Sequence, residues 1–211
     1  MAQPSQEIIN SLIELYQSGN FSEAERKARD LLKEFPNELV VLNILGVILD
    51  GQNKSEEALD VYKNALQINS ESPETHFNMG SILHRLSRNE EAKINYEKAI
   101  QLKPDFFNAY FNLGLVFQNL KDYDKAIESH KKAIELQPNF HEAVGAVGSI
   151  LQIQGNLDEA IDYYKKALSI EPNAINHYNL ATGLRNQGSL DEAIEEFKKS
   201  LSLNENNPLV L

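Results

Sequence analysis

The apolar positions of the chain recur at the three- and four-residue spacing of amphipathic helices. Between residues 110 and 117 they are Tyr110, Leu113, Gly114 and Phe117. A second stripe, between residues 123 and 134, comprises Tyr123, Ala126, Ile127, His130, Ala133 and Ile134. The polar pair Lys121-Asp122 separates the stripes and is typical of a turn. This segment is therefore predicted to form two helices joined by a short turn, each with one face towards a core.

The same pair of stripes returns along the whole chain at a spacing of 34 residues, or 33 at the last step. One alanine in each second stripe marks the period: Ala24, Ala58, Ala92, Ala126, Ala160 and Ala193. Twelve residues before each alanine stand small or apolar residues, namely Leu12, Gly46, Gly80, Gly114, Gly148 and Ala181. The period predicts six helical repeats, at about 5–38, 39–72, 73–106, 107–140, 141–174 and 175–207.

The small residues have a packing reason. A glycine where two helices cross lets their backbones approach closely, and Gly114 opposite Ala126 and Ala133 forms such a set. One hairpin cannot bury its own apolar stripe, so stability must come from stacking of neighbours, which predicts a single domain over 1–211. Residues 208–211 resemble the start of a further, truncated repeat. An apolar end there is expected to continue in a longer protein or to favour self-association.

The repeat resembles the tetratricopeptide repeat (TPR), whose template contains an aromatic residue, Leu-Gly, a tyrosine, spaced alanines and a final proline. In the fourth repeat the matching residues are Tyr110, Leu113, Gly114, Phe117, Ala126, Ala133 and Pro138. The resemblance covers roughly residues 5 to 207 and weakens in the first and last repeats, as is expected of terminal repeats. It implies an all-α fold, a right-handed α-solenoid (superhelix) of antiparallel helix-turn-helix TPR hairpins. The first helix of each repeat would line its concave face.

The resemblance also implies which side chains would bind a peptide in that concave groove. They are Asn43, Phe77, Asn78, His84, Phe111, Asn112, Gln118, Gly145, Tyr178, Asn179 and Arg185. Asn78, Asn112 and Asn179 share one repeat position, and an amide that both donates and accepts can pair with a peptide backbone. This row resembles the asparagine ladder in the superhelix of O-linked N-acetylglucosamine transferase, although Ile44 and Ala146 interrupt it. The alternative is that these amides are solvated or bond to their own helix.

Two further features bear on what the groove would accept. Gly145-Ala146 place almost no side chain there, which suggests a pocket for one bulky ligand side chain. The alternative is simply a weak helix position without a ligand. No lysine occupies the second position of any repeat, so the carboxylate clamp of some family members is not expected.

The composition limits the classes of partner that are expected. The chain has 211 residues, a net charge of -11 and no run of basic residues longer than two. This charge disfavours nucleic acid and anionic membranes, and it favours a neutral or basic protein ligand. There are no cysteines, no signal-like N-terminus and no apolar stretch long enough to span a bilayer. We therefore expect a cytoplasmic protein.

The sequence does not predict an enzyme. It contains no phosphate-binding loop, HExxH motif or nucleophile elbow, and its five histidines fall at scattered repeat positions. No catalytic residue, metal site or cofactor is therefore expected. The predicted function is that of an interaction module or scaffold that binds an extended peptide or a partner helix. Two alternatives stay open: an N-terminal targeting region of a larger glycosyltransferase-, methyltransferase- or sulfotransferase-type enzyme, and a self-assembling scaffold.

Overall fold

A computed structural model describes residues 4–204. This range contains twelve α-helices and no strand. The helices are α1 (Gln6–Gln17), α2 (Phe21–Glu34), α3 (Leu39–Gly51), α4 (Ser55–Ile68), α5 (Pro73–Arg85), α6 (Asn89–Leu102), α7 (Phe107–Asn119), α8 (Tyr123–Leu136), α9 (His141–Ile153), α10 (Leu157–Ile170), α11 (Ala174–Gln187) and α12 (Leu190–Asn204). The chain divides into two compact units, an N-terminal unit (Met1–Pro104) and a C-terminal unit (Asp105–Leu211).

Each unit consists of antiparallel helical hairpins that stack on one another. In the N-terminal unit the pairs α1–α2, α3–α4 and α5–α6 form hairpins, and α2 and α4 pack against α3 and α5 of the hairpins that follow. The C-terminal unit repeats this arrangement with α7 to α12. The predicted all-α fold, with TPR hairpins stacked as in an α-solenoid, is confirmed. The suggested start of a further repeat at 208–211 lies outside the described residues.

The turn inside each hairpin is built on one left-handed residue. Positive φ angles occur at Gly19, Asn53, Ser87, Lys121, Gly155 and Gly188, which keep the period of the repeat. The backbone N–H of the next residue then donates to a carbonyl in the last turn of the first helix, as from Asn156 to the carbonyl oxygen of Leu151 at 2.9 Å. This geometry satisfies carbonyls that the helix end would leave unpaired.

In the second to fifth hairpins, a ring from the second helix fills the crossing of the two helices. A Cβ atom on Gly80 would lie 2.9 Å from the ring of Tyr96, and one on Gly148 would lie 2.8 Å from the ring of Tyr164. Only glycine leaves room for these rings, which explains why the first helix carries it there. The fourth repeat places the fully buried His130 in the same space. Between residues 4 and 204, no helix is both long and apolar enough to cross a bilayer.

Candidate peptide-binding surface

The first helices of the N-terminal unit form a concavity. Its volume is about 200 Å³, and side chains of α1, α3 and α5 line it. These side chains are Ile13, Tyr16, Asn43, Ile44, Val47 and Asn78. Although two amides and one phenol are among these side chains, the surface that they expose to the concavity is almost wholly apolar, so it can take up an apolar group.

The two amides of this concavity differ in how many of their hydrogen-bonding groups are already paired within the protein. The Asn43 Nδ2 donates to the carbonyl oxygen of Leu39 at 2.9 Å, and its Oδ1 accepts from the Thr75 hydroxyl at 2.9 Å. Asn43 therefore ties α3 to α5 and has little capacity for a ligand. The Asn78 side chain interacts with the Tyr62 hydroxyl, opposing the rise in the Tyr62 pKa that burial causes. Asn78 is also one of the residues that line the concavity.

Two other predicted residues of this unit are half-buried and do not line the concavity. The ring of Phe77 lies 5.8 Å from that of Tyr96, centroid to centroid. His84 is desolvated, which lowers its pKa below the ordinary value. Phe77 thus contributes to packing within its own hairpin as well as to the surface.

In the C-terminal unit, Phe111 and Gln118 are half-buried against other side chains. The Phe111 ring lies 5.3 Å from the ring of His130 and 4.8 Å from that of Phe140. The Gln118 Oε1 lies 3.3 Å from the His130 Nε2. These contacts fix both side chains against the second helix, and the predicted role in ligand binding stays a prediction for each.

Asn112 and Asn179 are the two asparagines of the predicted site in this unit. Both are half-buried, and neither side chain makes a hydrogen bond with a residue between 4 and 204. Gly145 is buried on α9, and a Cβ atom placed on it would lie 3.8 Å from the Asn179 Nδ2. The structure therefore brings Gly145 and Asn179 together.

The last two predicted residues of this unit are exposed. Tyr178 has a relative exposure of 55%, and its ring lies 5.6 Å from that of Phe197. Arg185, near the end of α11, also points to solvent. Both side chains are therefore accessible to a partner from outside the hairpin.

The predicted site left out two buried tyrosines of the second helices that bond to side chains of the first helices. The Tyr96 hydroxyl donates to the Ser81 Oγ at 3.1 Å, and the Tyr164 hydroxyl donates to the Ser149 Oγ at 3.3 Å. Each tyrosine passes the glycine of its hairpin and delivers its polar tip to the first helix. The signal was the constant spacing of 16 residues between glycine and aromatic residue.

The surface offers apolar contact and amide hydrogen bonds. Within the described range, no group of three or more histidine, aspartate and glutamate side chains could hold a metal ion. His130, a buried ionisable group of the C-terminal unit, has its pKa lowered to about 4 by burial and stays neutral at pH 7. This chemistry suits binding.

Comparisons with known proteins agree with the geometry. Family models described as tetratricopeptide repeat match residues 107–140, 146–174 and 174–207, and one described as TPR repeat matches 51–87 and 80–121. A crystal structure of MamA is 30% identical to this chain, with a TM-score of 0.70, over 75% of this chain and 93% of that one. The chain belongs to the tetratricopeptide repeat family. A search of curated proteins gives no match.

Two further TPR structures show the same fold at lower identity. The Pseudomonas aeruginosa protein PilF is 23% identical with a TM-score of 0.82, over 96% of this chain and 91% of that one. YrrB, described as a TPR protein with an unusual peptide-binding site, is 23% identical with a TM-score of 0.67, over 86% of this chain and 94% of that one. The TPR repeats and the likeness to MamA are consistent with protein–protein interaction scaffolding.

Proposed function

We propose that this TPR protein is an interaction module that binds an extended peptide segment of a partner along its first helices. The observation that carries the proposal is the concavity of the N-terminal unit. Three successive first helices contribute to it, and its apolar lining suits one apolar side chain of the ligand. Asn78 is one of the residues that line it.

The C-terminal unit supports backbone recognition in its own way. The side chains of Asn112 and Asn179 are half-buried, and neither is among the described side chains that hold a buried polar atom without a partner. Their amides are therefore open to a ligand. A peptide backbone has one donor and one acceptor per residue and satisfies such amides without requiring particular side chains.

The charge of the protein supports a ligand that is neutral or basic. The net charge of -11 repels acidic segments and attracts basic ones over roughly 8 Å at physiological ionic strength. The peptide-binding site of YrrB belongs to that protein, and it demonstrates that this fold can present one.

The test begins with peptides selected from a random displayed library against the intact chain. Their dissociation constants are measured by fluorescence anisotropy on the wild type and on Val47→Glu, which places a carboxylate in the apolar concavity. Burying an unpaired carboxylate is strongly unfavourable, so affinity should fall at least about tenfold for a major class of peptides. The matched control is Ile8→Glu on α1, where the isoleucine is 42% exposed and does not line the concavity.

A second set of variants tests backbone recognition. The triple variant Asn78→Ala, Asn112→Ala and Asn179→Ala should weaken peptides of unrelated sequence by a similar factor, because backbone bonds are common to all of them. Circular dichroism establishes that each variant is folded. The proposal is wrong if every selected peptide keeps its affinity for Val47→Glu and for the triple variant.

A further inference from the structure

Helix α9 has a gap in its side-chain surface at Gly145. The other first helices of this unit carry Phe111 and Tyr178 at the same repeat position. Among the described residues outside its own stretch of α9, a Cβ atom on Gly145 would have two heavy atoms within 4 Å. They are the Asn179 Nδ2 at 3.8 Å and the Asn176 Oδ1 at 4.0 Å. The absent side chain leaves a space with polar walls, which we call the Gly145 notch.

The more deeply placed wall of the notch is Asn176, which is only 3% exposed. Its Nδ2 donates to the carbonyl oxygen of Glu171 at 2.7 Å and to that of Ala167 at 3.3 Å, at the C-terminal end of α10. Carbonyl oxygens only accept hydrogen bonds, so these contacts fix which side of the amide carries the nitrogen. The Oδ1 is therefore the atom that Asn176 turns towards the notch.

The Asn176 Oδ1 is an acceptor with no partner in the described part of the chain. The remaining contact of this amide, 3.3 Å to the His141 Nδ1, also uses the nitrogen. The Oδ1 is not among the buried polar atoms that lack a partner between residues 4 and 204. It therefore stays within reach of solvent, although the rest of the side chain is enclosed.

The other wall of the notch is the amide of Asn179. This side chain is half-buried, and it makes no hydrogen bond with a residue between 4 and 204. It can therefore offer a donor or an acceptor to a bound group. The notch thus combines one acceptor of fixed orientation, from Asn176, with one adaptable amide. A group bound there has to donate a hydrogen bond to Asn176.

A primary amide meets the requirements of both walls from a single carbon atom. Its N–H donates to the Asn176 Oδ1, and its carbonyl oxygen accepts from the Asn179 Nδ2. An aliphatic group would displace water from the Asn176 oxygen and leave that acceptor unpaired, which is unfavourable. A carboxylate brings no donor, while an ammonium group brings no acceptor and loses hydration there.

We propose that the Gly145 notch is a specificity subsite, which takes the side-chain amide of a glutamine or asparagine in the bound peptide. The inference rests on the proposed function, because the notch lies on one of the first helices along which the peptide runs. Only one side chain is absent at Gly145, so the space admits the end of a ligand side chain and not a main chain. Backbone recognition holds the peptide, and this subsite selects one of its residues.

Three blocked amino acids of similar size serve as probes: the N-acetyl, N-methylamide forms of glutamine, methionine sulfoxide and methionine. The glutamine side chain has a donor and an acceptor, methionine sulfoxide has an acceptor alone, and methionine has neither. Each is titrated into the isotope-labelled full chain, and NMR follows the Gly145 backbone N–H and the side-chain amides of Asn176 and Asn179. Glutamine should shift these signals saturably, with a dissociation constant at least about fivefold lower than that of either other compound.

Variants of the protein locate the binding. Gly145→Ala places a methyl group in the notch at ordinary contact distances from both asparagines, so the fold should persist while the preference for glutamine is lost. Asn179→Ala should reduce the preference as well. The matched control is Asn112→Ala, which removes the amide at the equivalent position of α7 and should leave the preference unchanged. Circular dichroism establishes that each variant is folded.

Equal affinities for the three compounds would overturn the inference, and so would an unchanged preference for glutamine in folded Gly145→Ala. The compounds require no peptide ligand, so their outcome is separate from that of the Val47→Glu experiment. If selected peptides bind while glutamine leaves the Gly145 signal unchanged, this inference fails and the proposed function stands. If no peptide binds but glutamine occupies the notch, the proposed function fails instead.

Discussion

The buried histidine of the fourth repeat makes stability depend on pH in a way that can be worked out. His130 fills the crossing at Gly114 and is fully buried. Its Nε2 lies 3.3 Å from the Gln118 Oε1, while its Nδ1 has no hydrogen-bond partner among residues 4–204. Burial disfavours the imidazolium and lowers the pKa of His130 from 6.5 to about 4.

The direction of the pH dependence of stability follows from proton linkage. Below pH 6.5 the unfolded chain takes up a proton at His130, whereas the folded chain does not until about pH 4. The stabilising contribution of the neutral imidazole is therefore lost as pH falls from about 6.5 towards 4. The difference between the two pKa values corresponds to a loss of roughly 3 kcal/mol in the free energy of unfolding, of which about 2 kcal/mol is lost between pH 7 and pH 5.

The perturbation is His130→Tyr, which installs the residue found at the equivalent positions 62, 96 and 164. A tyrosine there removes the titration and the unpaired nitrogen. Free energies of unfolding are measured by urea denaturation at pH 7, 6 and 5, following helical circular dichroism. The wild type should lose about 2 kcal/mol more than the variant between pH 7 and pH 5. Carboxylates titrate alike in both proteins and cancel in the difference.

The result that would refute this reasoning is an equal pH dependence in the two proteins. An independent measurement is the NMR titration of the His130 Cε1 proton in the folded protein. A pKa near 6.5 there would mean that the imidazole is solvated.

Two backbone predictions follow from the glycines and the left-handed residues. Lys121→Gly should stabilise the protein by roughly 1 kcal/mol, because φ is 60° at Lys121 and a side chain is disfavoured in that region. Gly155→Ala, at φ 83°, should destabilise it by a similar amount. Thermal unfolding of the two variants measures both effects. Gly148→Ala should lower the free energy of unfolding by about 1–2 kcal/mol, because its Cβ would lie 2.8 Å from the Tyr164 ring. Gly145→Ala should leave that free energy unchanged or raise it. Equal denaturation midpoints for these two variants would contradict the packing account.

The local features of this protein could be predicted from its sequence. The apolar period predicted the helices because a helix is made from neighbours three and four residues apart. The turn at Lys121-Asp122 and the close crossing at Gly114 were visible for the same reason. Repetition then predicted the stacking, since each hairpin has an apolar face that only a neighbour can cover.

The site depended on contacts between residues distant in the chain, and these only the tertiary structure decided. Asn43 and Asn112 look alike in the sequence, yet Thr75, 32 residues away, takes the acceptor of Asn43 while Asn112 stays unpaired among the described residues. Ile161 and Ile194 occupy one repeat position, yet α11 covers Ile161, whereas no described helix covers Ile194. Sequence patterns determined which residues face a surface; whether a given group is satisfied or left for a partner depends on what the folded chain places against it.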